Sequence, residues 1–231
     1  MKLFTIRGIP VRLHVSFLVL AAAFIGWELL TGGLGSATAL ALTGGALFGS
    51  VLLHELGHAL MARRYDINTR TITLYPFGGV AALEAEPTDP DAELAIALAG
   101  PAVNGLLFGL ALPFALMGST IAGFVAGMNL IMGLFNLAPA FPMDGGRVLR
   151  ALLSKRSGAE SATATALKVS RYFAWGFLGL GLVYSPSLAL VGVFLLWAGG
   201  MERRRFQARS QRRLAVEQIR LRPGLWEHPA Y

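Results

Sequence analysis

Over most of its length this chain keeps its apolar residues in long blocks instead of alternating them with polar ones. Six blocks approach the ~20 residues that a helix needs to cross the hydrocarbon core of a bilayer. They cover approximately residues 13 to 30, 38 to 62, 94 to 117, 120 to 140, 167 to 184 and 186 to 201. The last two are parted only by Tyr184, Ser185, Pro186 and Ser187, which predicts a tight hairpin. Residues 71 to 83 differ from these blocks, being β-prone and broken by Pro76 and the pair Gly78-Gly79. They predict an extended hairpin or re-entrant loop, and since an unpaired strand edge facing lipid is costly, it should lie within protein or along a water-filled cleft. The acidic run from Glu84 to Glu93 then returns the chain to water. The fold class expected is an all-α polytopic membrane protein of six transmembrane helices with a small membrane-associated β-hairpin or re-entrant loop. Residues 1 to 201 form the membrane domain and residues 202 to 231 a basic cytoplasmic tail, with no second globular domain and no repeat.

Composition agrees, with 55% of the 231 residues hydrophobic and 14% charged. No cysteine is present, which removes disulfides, iron-sulfur clusters, catalytic thiols and thiolate metal sites, so any metal must use His and carboxylates. The formal charge of +7 does not point to nucleic acid, because the basic residues flank apolar blocks. If six spans alternate, every Lys and Arg falls on one side: Lys2, Arg7 and Arg12, then Arg63, Arg64 and Arg70, then Arg147 to Arg171, then Arg203 to Arg222. The positive-inside rule then places both termini in the cytoplasm, as expected of a multi-pass protein of a prokaryotic cytoplasmic membrane. The first block is too long, and too lacking in a small-residue cleavage site, for a removable signal peptide.

The second block contains His54-Glu55-Leu56-Gly57-His58. Histidines four apart share one helical face and can grip a zinc ion together, and the intervening glutamate can act as a base on water. His58 stands five and His54 nine residues before Arg63, roughly 7 and 13 Å along a helix and therefore below the cytoplasmic surface. A catalytic zinc usually takes three protein ligands, and the candidates for the third are His14, Glu28, Asp66, the acidic loop and Asp144. Asp144 sits in the stretch Asn136-Leu137-Ala138-Pro139-Ala140-Phe141-Pro142-Met143-Asp144-Gly145-Gly146, at the cytoplasmic end of the fourth block and at a depth like that of His58. Two prolines break the helix and two glycines let the chain turn closely, so the carboxylate can point back into the bundle as the third ligand.

These two stretches together resemble the signature motifs of the site-2 protease family of intramembrane zinc metalloproteases, over residues 38 to about 150, in a minimal form without PDZ or CBS domain. The resemblance implies one Zn2+ per chain on His54, His58 and Asp144, with Glu55 catalytic. It implies that Asn136 stabilises the developing oxyanion, a role for which Asn104, in Gly100-Pro101-Ala102-Val103-Asn104, is the second candidate. The Gly78-Gly79 loop resembles the strand thought to hold substrate extended, so Gly78, Gly79 and Asn104 are the expected substrate contacts. The function implied is hydrolysis of peptide bonds in transmembrane segments of membrane proteins or remnant signal peptides, with the bilayer and a transmembrane-helix substrate as partners. The oligomeric state is left open.

Blander readings attach to the same residues. The His54, Glu55 and His58 set can glue helices together, and Asp144 can pair with Arg147 or Arg150. Asn104 and Asn136 can be interhelical hydrogen-bond donors, and Gly45/Gly49, Gly105/Gly109 and Gly123/Gly127 are small-xxx-small pairs of the kind that pack helices. His14 reads as an interfacial residue and His228 as an uninvolved tail residue. Two other functions compete. A transporter or metal permease would string polar residues across several spans, and here they gather near one face. A non-proteolytic zinc-binding membrane protein would need the same residues.

Overall fold

The computed structural model describes residues 1–76 and 78–220, so Phe77, Arg222 and His228 lie outside it. Among the described residues the order is β1 (Lys2–Ile6), β2 (Ile9–Leu13), α1 (Val15–Thr31), α2 (Gly33–Arg63), β3 (Thr69–Tyr75), β4 (Gly78–Leu83), α3 (Pro90–Leu116), α4 (Thr120–Asn136), α5 (Asp144–Ser157), α6 (Ala159–Tyr184) and α7 (Pro186–Arg220).

The chain is mostly helical as expected, and the small β element is larger than a hairpin, a four-stranded sheet in the order β1-β2-β3-β4. The expected hairpin is its β3-β4 half, joined antiparallel with Ile72 opposite Ala81 and Leu74 opposite Gly79. The other half, β1-β2, turns through Arg7 and Gly8, both at positive φ (48° and 88°), as a two-residue hairpin turn requires. β2 then runs parallel to β3, Val11 beside Ile72. That pairing joins segments some sixty residues apart, and local pattern cannot announce it. Fully buried Ile72 and nearly buried Ile9 meet Ala59 of α2, with Leu52, Leu56 and Ala81 packed around them. The sheet is thereby laid against the C-terminal half of α2.

Among the described residues α2 and α3 are the helices both long and apolar enough to cross a membrane, while α1 and α4 are apolar with 17 residues each. Leu30, Leu116, Met117, Leu182 and Tyr184 are each more than three-quarters exposed, an apolar surface that water would not tolerate on this scale. α4 ends at Asn136, short of the expected 140, because the chain approaching Pro139 and Pro142 cannot continue the helix. α5 was not expected. It mixes Val148, Leu149 and Leu152 with Arg147, Arg150, Lys155 and Arg156, so no apolar block marks it. The expected spans at 167 to 184 and 186 to 201 are parts of longer helices, and the boundary expected at 201 falls inside α7.

α3 packs against α2, α4 and α5, while α6 packs on α5 and α7. A Cβ on Gly57 would stand 2.8 Å from the Ala99 carbonyl oxygen, so α2 and α3 touch backbone to backbone beside the two histidines. Ala140 and Met143, from the loop before α5, are buried with Ala174 of α6 and Leu195 of α7. Ser170 fixes that loop further, its hydroxyl accepting from the Phe141 N–H at 2.9 Å and donating to the Phe141 carbonyl at 3.3 Å.

Candidate metal centre

His54 and His58 lie four apart on α2 and project their rings on one side, where α3 crosses at Gly100. A Cβ on Gly100 would stand 2.2 Å from His58 Nε2 and 2.7 Å from His54 Cε1, so glycine supplies the space both rings occupy. Asp144 joins them as the first residue of α5. Gly145 and Gly146 make that entry possible, since a Cβ on either would strike the loop backbone at Leu137 (2.2 Å) or Phe141 (2.8 Å).

The three side chains converge through single atoms. His54 Nε2 and His58 Nε2 stand 3.2 and 3.1 Å from Asp144 Oδ2, and 3.1 Å from each other. The far sides of both rings are occupied. His58 Nδ1 lies 2.7 Å from the Ile96 carbonyl oxygen, which can only accept, so Nδ1 carries the proton. His54 Nδ1 lies 2.6 Å from Asn104 Oδ1. The Asn104 amide donates to Asn129 Oδ1 at 2.9 Å, and the Asn129 amide donates in turn to the Val125 carbonyl at 2.9 Å and to Ser50 Oγ at 3.0 Å. The Val125 carbonyl accepts only, which fixes the orientation of Asn129, then of Asn104, and leaves His54 Nδ1 as the donor.

With both Nδ1 atoms protonated, both Nε2 atoms of the neutral rings present lone pairs, as does Asp144 Oδ2, which is buried without a hydrogen-bond donor. Three lone pairs converging in a buried place repel one another unless a cation stands among them. Ligand atoms about 2.0–2.2 Å from a tetrahedral zinc stand roughly 3.3–3.5 Å apart, close to the spacing found here. The residues fit a zinc ion.

Glu55 points to the flank of this group. Its Oε2 accepts from the Ala81 N–H of β4 at 3.1 Å. A Cβ on Gly79 would stand 2.5 Å from Glu55 Cγ, so Gly79 clears the carboxylate's path, and Gly78 at φ 143° makes the turn into β4. Two of the other candidate ligands are engaged elsewhere. His14 Nδ1 accepts from Ser16 as the cap of α1, and its ring stacks on Tyr75. Glu93, the buried acid of the acidic run, is held by Arg150, which leaves Asp144 out of that ion pair.

Two of the expected residues are already hydrogen-bonded. Asn104 is fully buried with both ends of its amide used, its oxygen against His54 and its nitrogen against Asn129. Asn136 donates to the Met132 carbonyl of its own helix at 3.0 Å and is not joined to the histidines. Ser50, Gly100 and Asn129 were missed. A lone Asn inside an apolar helix is the one trace that Asn129 leaves in the sequence.

The chain matches the model of peptidase family M50 over residues 43–122 and 116–177. It is 36% identical to a zinc metalloprotease of Methanocaldococcus jannaschii over 211 residues, 88% of this chain and 60% of that protein. It is 34% identical to stage IV sporulation protein FB of Bacillus subtilis over 128 residues, 53% of this chain and 44% of that protein. The chain thus spans about half the length of the curated relatives it matches. Among solved structures it is similar to a site-2 protease from M. jannaschii, with a TM-score of 0.64 and 36% identity, covering 87% of this chain and 94% of that one.

Proposed function

We propose that this chain, which belongs to peptidase family M50, is an intramembrane zinc endopeptidase that cuts transmembrane segments of membrane proteins or remnant signal peptides. The observation that carries this reading is the convergence of His54 Nε2, His58 Nε2 and Asp144 Oδ2, with the Glu55 carboxylate beside them. His54, His58 and Asp144 hold the zinc. Bound there, zinc supplies Lewis acidity that polarises a scissile carbonyl and makes water a better nucleophile. Glu55 takes the proton from the attacking water and returns it to the leaving amine. Asn136 donates to the developing oxyanion once its amide turns from the Met132 carbonyl.

The substrate class follows from the surroundings. A membrane helix hides its carbonyls in its own hydrogen bonds and must unwind before one is attacked. β4 is one of the sheet's two edge strands, and the Ala81 N–H points away from β3 toward Glu55. By strand alternation Gly79 and Leu83 share that outward edge, so an unwound segment pairing along it passes beside the metal ligands. In this reading six spans cross the bilayer with both termini and the site toward the cytoplasm, the side to which the charge partition assigns every Lys and Arg.

Metal removal tests the whole. Purified chain in detergent should cleave members of a panel of helix-destabilised transmembrane substrates, lose that cleavage on treatment with a chelator, and regain it when zinc is restored. Cleavage that survives complete zinc removal would sink the proposal.

The asparagine relay makes a second prediction. Asn129→Leu leaves the Asn104 amide without its acceptor and frees His54 to rotate, so zinc affinity should fall roughly 10–100-fold, the usual effect of losing an outer partner of a ligand. Ser50→Ala should change it little, because the Val125 carbonyl still orients Asn129. Competition with a chromophoric chelator measures both, and equal affinities in the two variants would refute the relay.

A further inference from the structure

The cytoplasmic ends of α6 and α7 enclose a groove of about 320 Å³ that plays no part in the proposed chemistry. Its floor is apolar, made by Leu195, Leu196 and Phe206, and its rim carries Lys168, Arg171 and Arg203 with no acidic residue in the lining. None of these three cations has a carboxylate partner among the described residues. Glu202, the neighbour of Arg203, pairs with Arg205 and lines a different cleft.

The level of the groove matters as much as its charge. The apolar part of α7 ends at Met201, just before Arg203, and on α6 the cations Lys168 and Arg171 precede the exposed aromatic rings of Tyr172 (70%) and Trp175 (57%). Aromatic rings beside long cations mark the headgroup level of a bilayer. Three unpaired positive charges above an apolar floor are complementary to a phosphate attached to an acyl chain, and the volume lies within the ~300–1,000 Å³ of small-molecule sites.

We propose that this groove is a binding site for an anionic phospholipid, with the phosphate held by Lys168, Arg171 and Arg203 and an acyl chain along Leu195, Leu196 and Phe206. Guanidinium groups grip phosphate through paired N–H donors, so the two arginines fix the headgroup and the lysine adds charge. The floor is what selects a lipid over free phosphate. The inference rests on the membrane-embedded reading of the chain but not on the metal or the peptidase chemistry.

The test uses delipidated full-length protein in a neutral detergent, titrated with phosphatidylglycerol, with phosphatidylcholine of the same chains, and with inorganic phosphate, and read by native mass spectrometry. Phosphatidylglycerol should bind at least roughly tenfold more tightly than phosphatidylcholine, and inorganic phosphate should not compete at equal concentration. In the triple variant Lys168→Gln, Arg171→Gln, Arg203→Gln the preference should fall to within about twofold, with binding of phosphatidylcholine unchanged as a check that the protein is folded. The proposal is overturned if the triple variant keeps the preference, if the wild type shows none, or if phosphate competes equally. Carbonate extraction of cell membranes separates the two readings: a chain released into solution defeats the membrane reading itself, whereas an integral chain without lipid preference defeats only the site.

Discussion

Glu55→Gln is expected to lower peptide-bond hydrolysis by roughly 10²–10⁴-fold while the protein keeps its zinc. The two effects separate because of where Glu55 points. Its carboxylate is not among the converging ligand atoms and instead accepts from the Ala81 N–H. A glutamine oxygen can accept that same hydrogen bond, so the position of β4 against α2 is kept and only proton transfer is lost. Turnover measured on a transmembrane substrate, with zinc counted by mass spectrometry in the same preparation, reads both effects. Unchanged turnover would remove Glu55 as the base, and loss of zinc would make it a ligand instead.

Gly100→Ala is expected to empty the site although it changes no ligand. The new methyl would stand 2.2 Å from His58 Nε2, 2.5 Å from its Cε1 and 2.7 Å from His54 Cε1, distances that force a ring to move. Neither ring can retreat freely. His54 is held through Asn104 and His58 through the Ile96 carbonyl, and moving either breaks the bond that fixes its tautomer. Zinc affinity should therefore fall by at least roughly 100-fold, the upper end of what lost outer-partner support costs, and turnover should fall with it. The helix gains from the substitution, since Ala is favoured over Gly in a helix interior by about 0.5–1 kcal/mol, so thermal unfolding should show a folded protein. Gly105→Ala, on the same helix with nothing within 4 Å of the new methyl, is the control and should bind zinc as the wild type does. Equal zinc affinity in Gly100→Ala and Gly105→Ala would show that Gly100 is not what makes room for the rings.

The chemistry was legible in the sequence because its elements are local. His54, Glu55 and His58 sit within five residues, and helical periodicity alone puts the two histidines on one face. The two prolines before Asp144 and the two glycines after it announced a broken helix, and α4 does stop at Asn136. The apolar blocks marked the cores of α1 to α4, while α5 left no such mark because its charges are interleaved with its apolar residues. β1 and β2 were missed although Arg7-Gly8 is a recognisable turn, because strands this short gain their stability from β3, which arrives only after two helices have intervened.

What the sequence determined by itself, then, is residue chemistry at helical spacing: no thiol, two histidines on one face, a glutamate between them and an aspartate after a break. Only the tertiary structure decided how these groups are aimed. It made Asn104 a support for His54, joined it to Asn129 and thence to the Val125 carbonyl, and left Asn136 bonded to its own helix. It also required glycine at position 100, where α3 must leave space for two rings of α2. The physical reason is that hydrogen-bond direction and close packing join residues dozens of positions apart, and no pattern along one segment records which partner the other will bring.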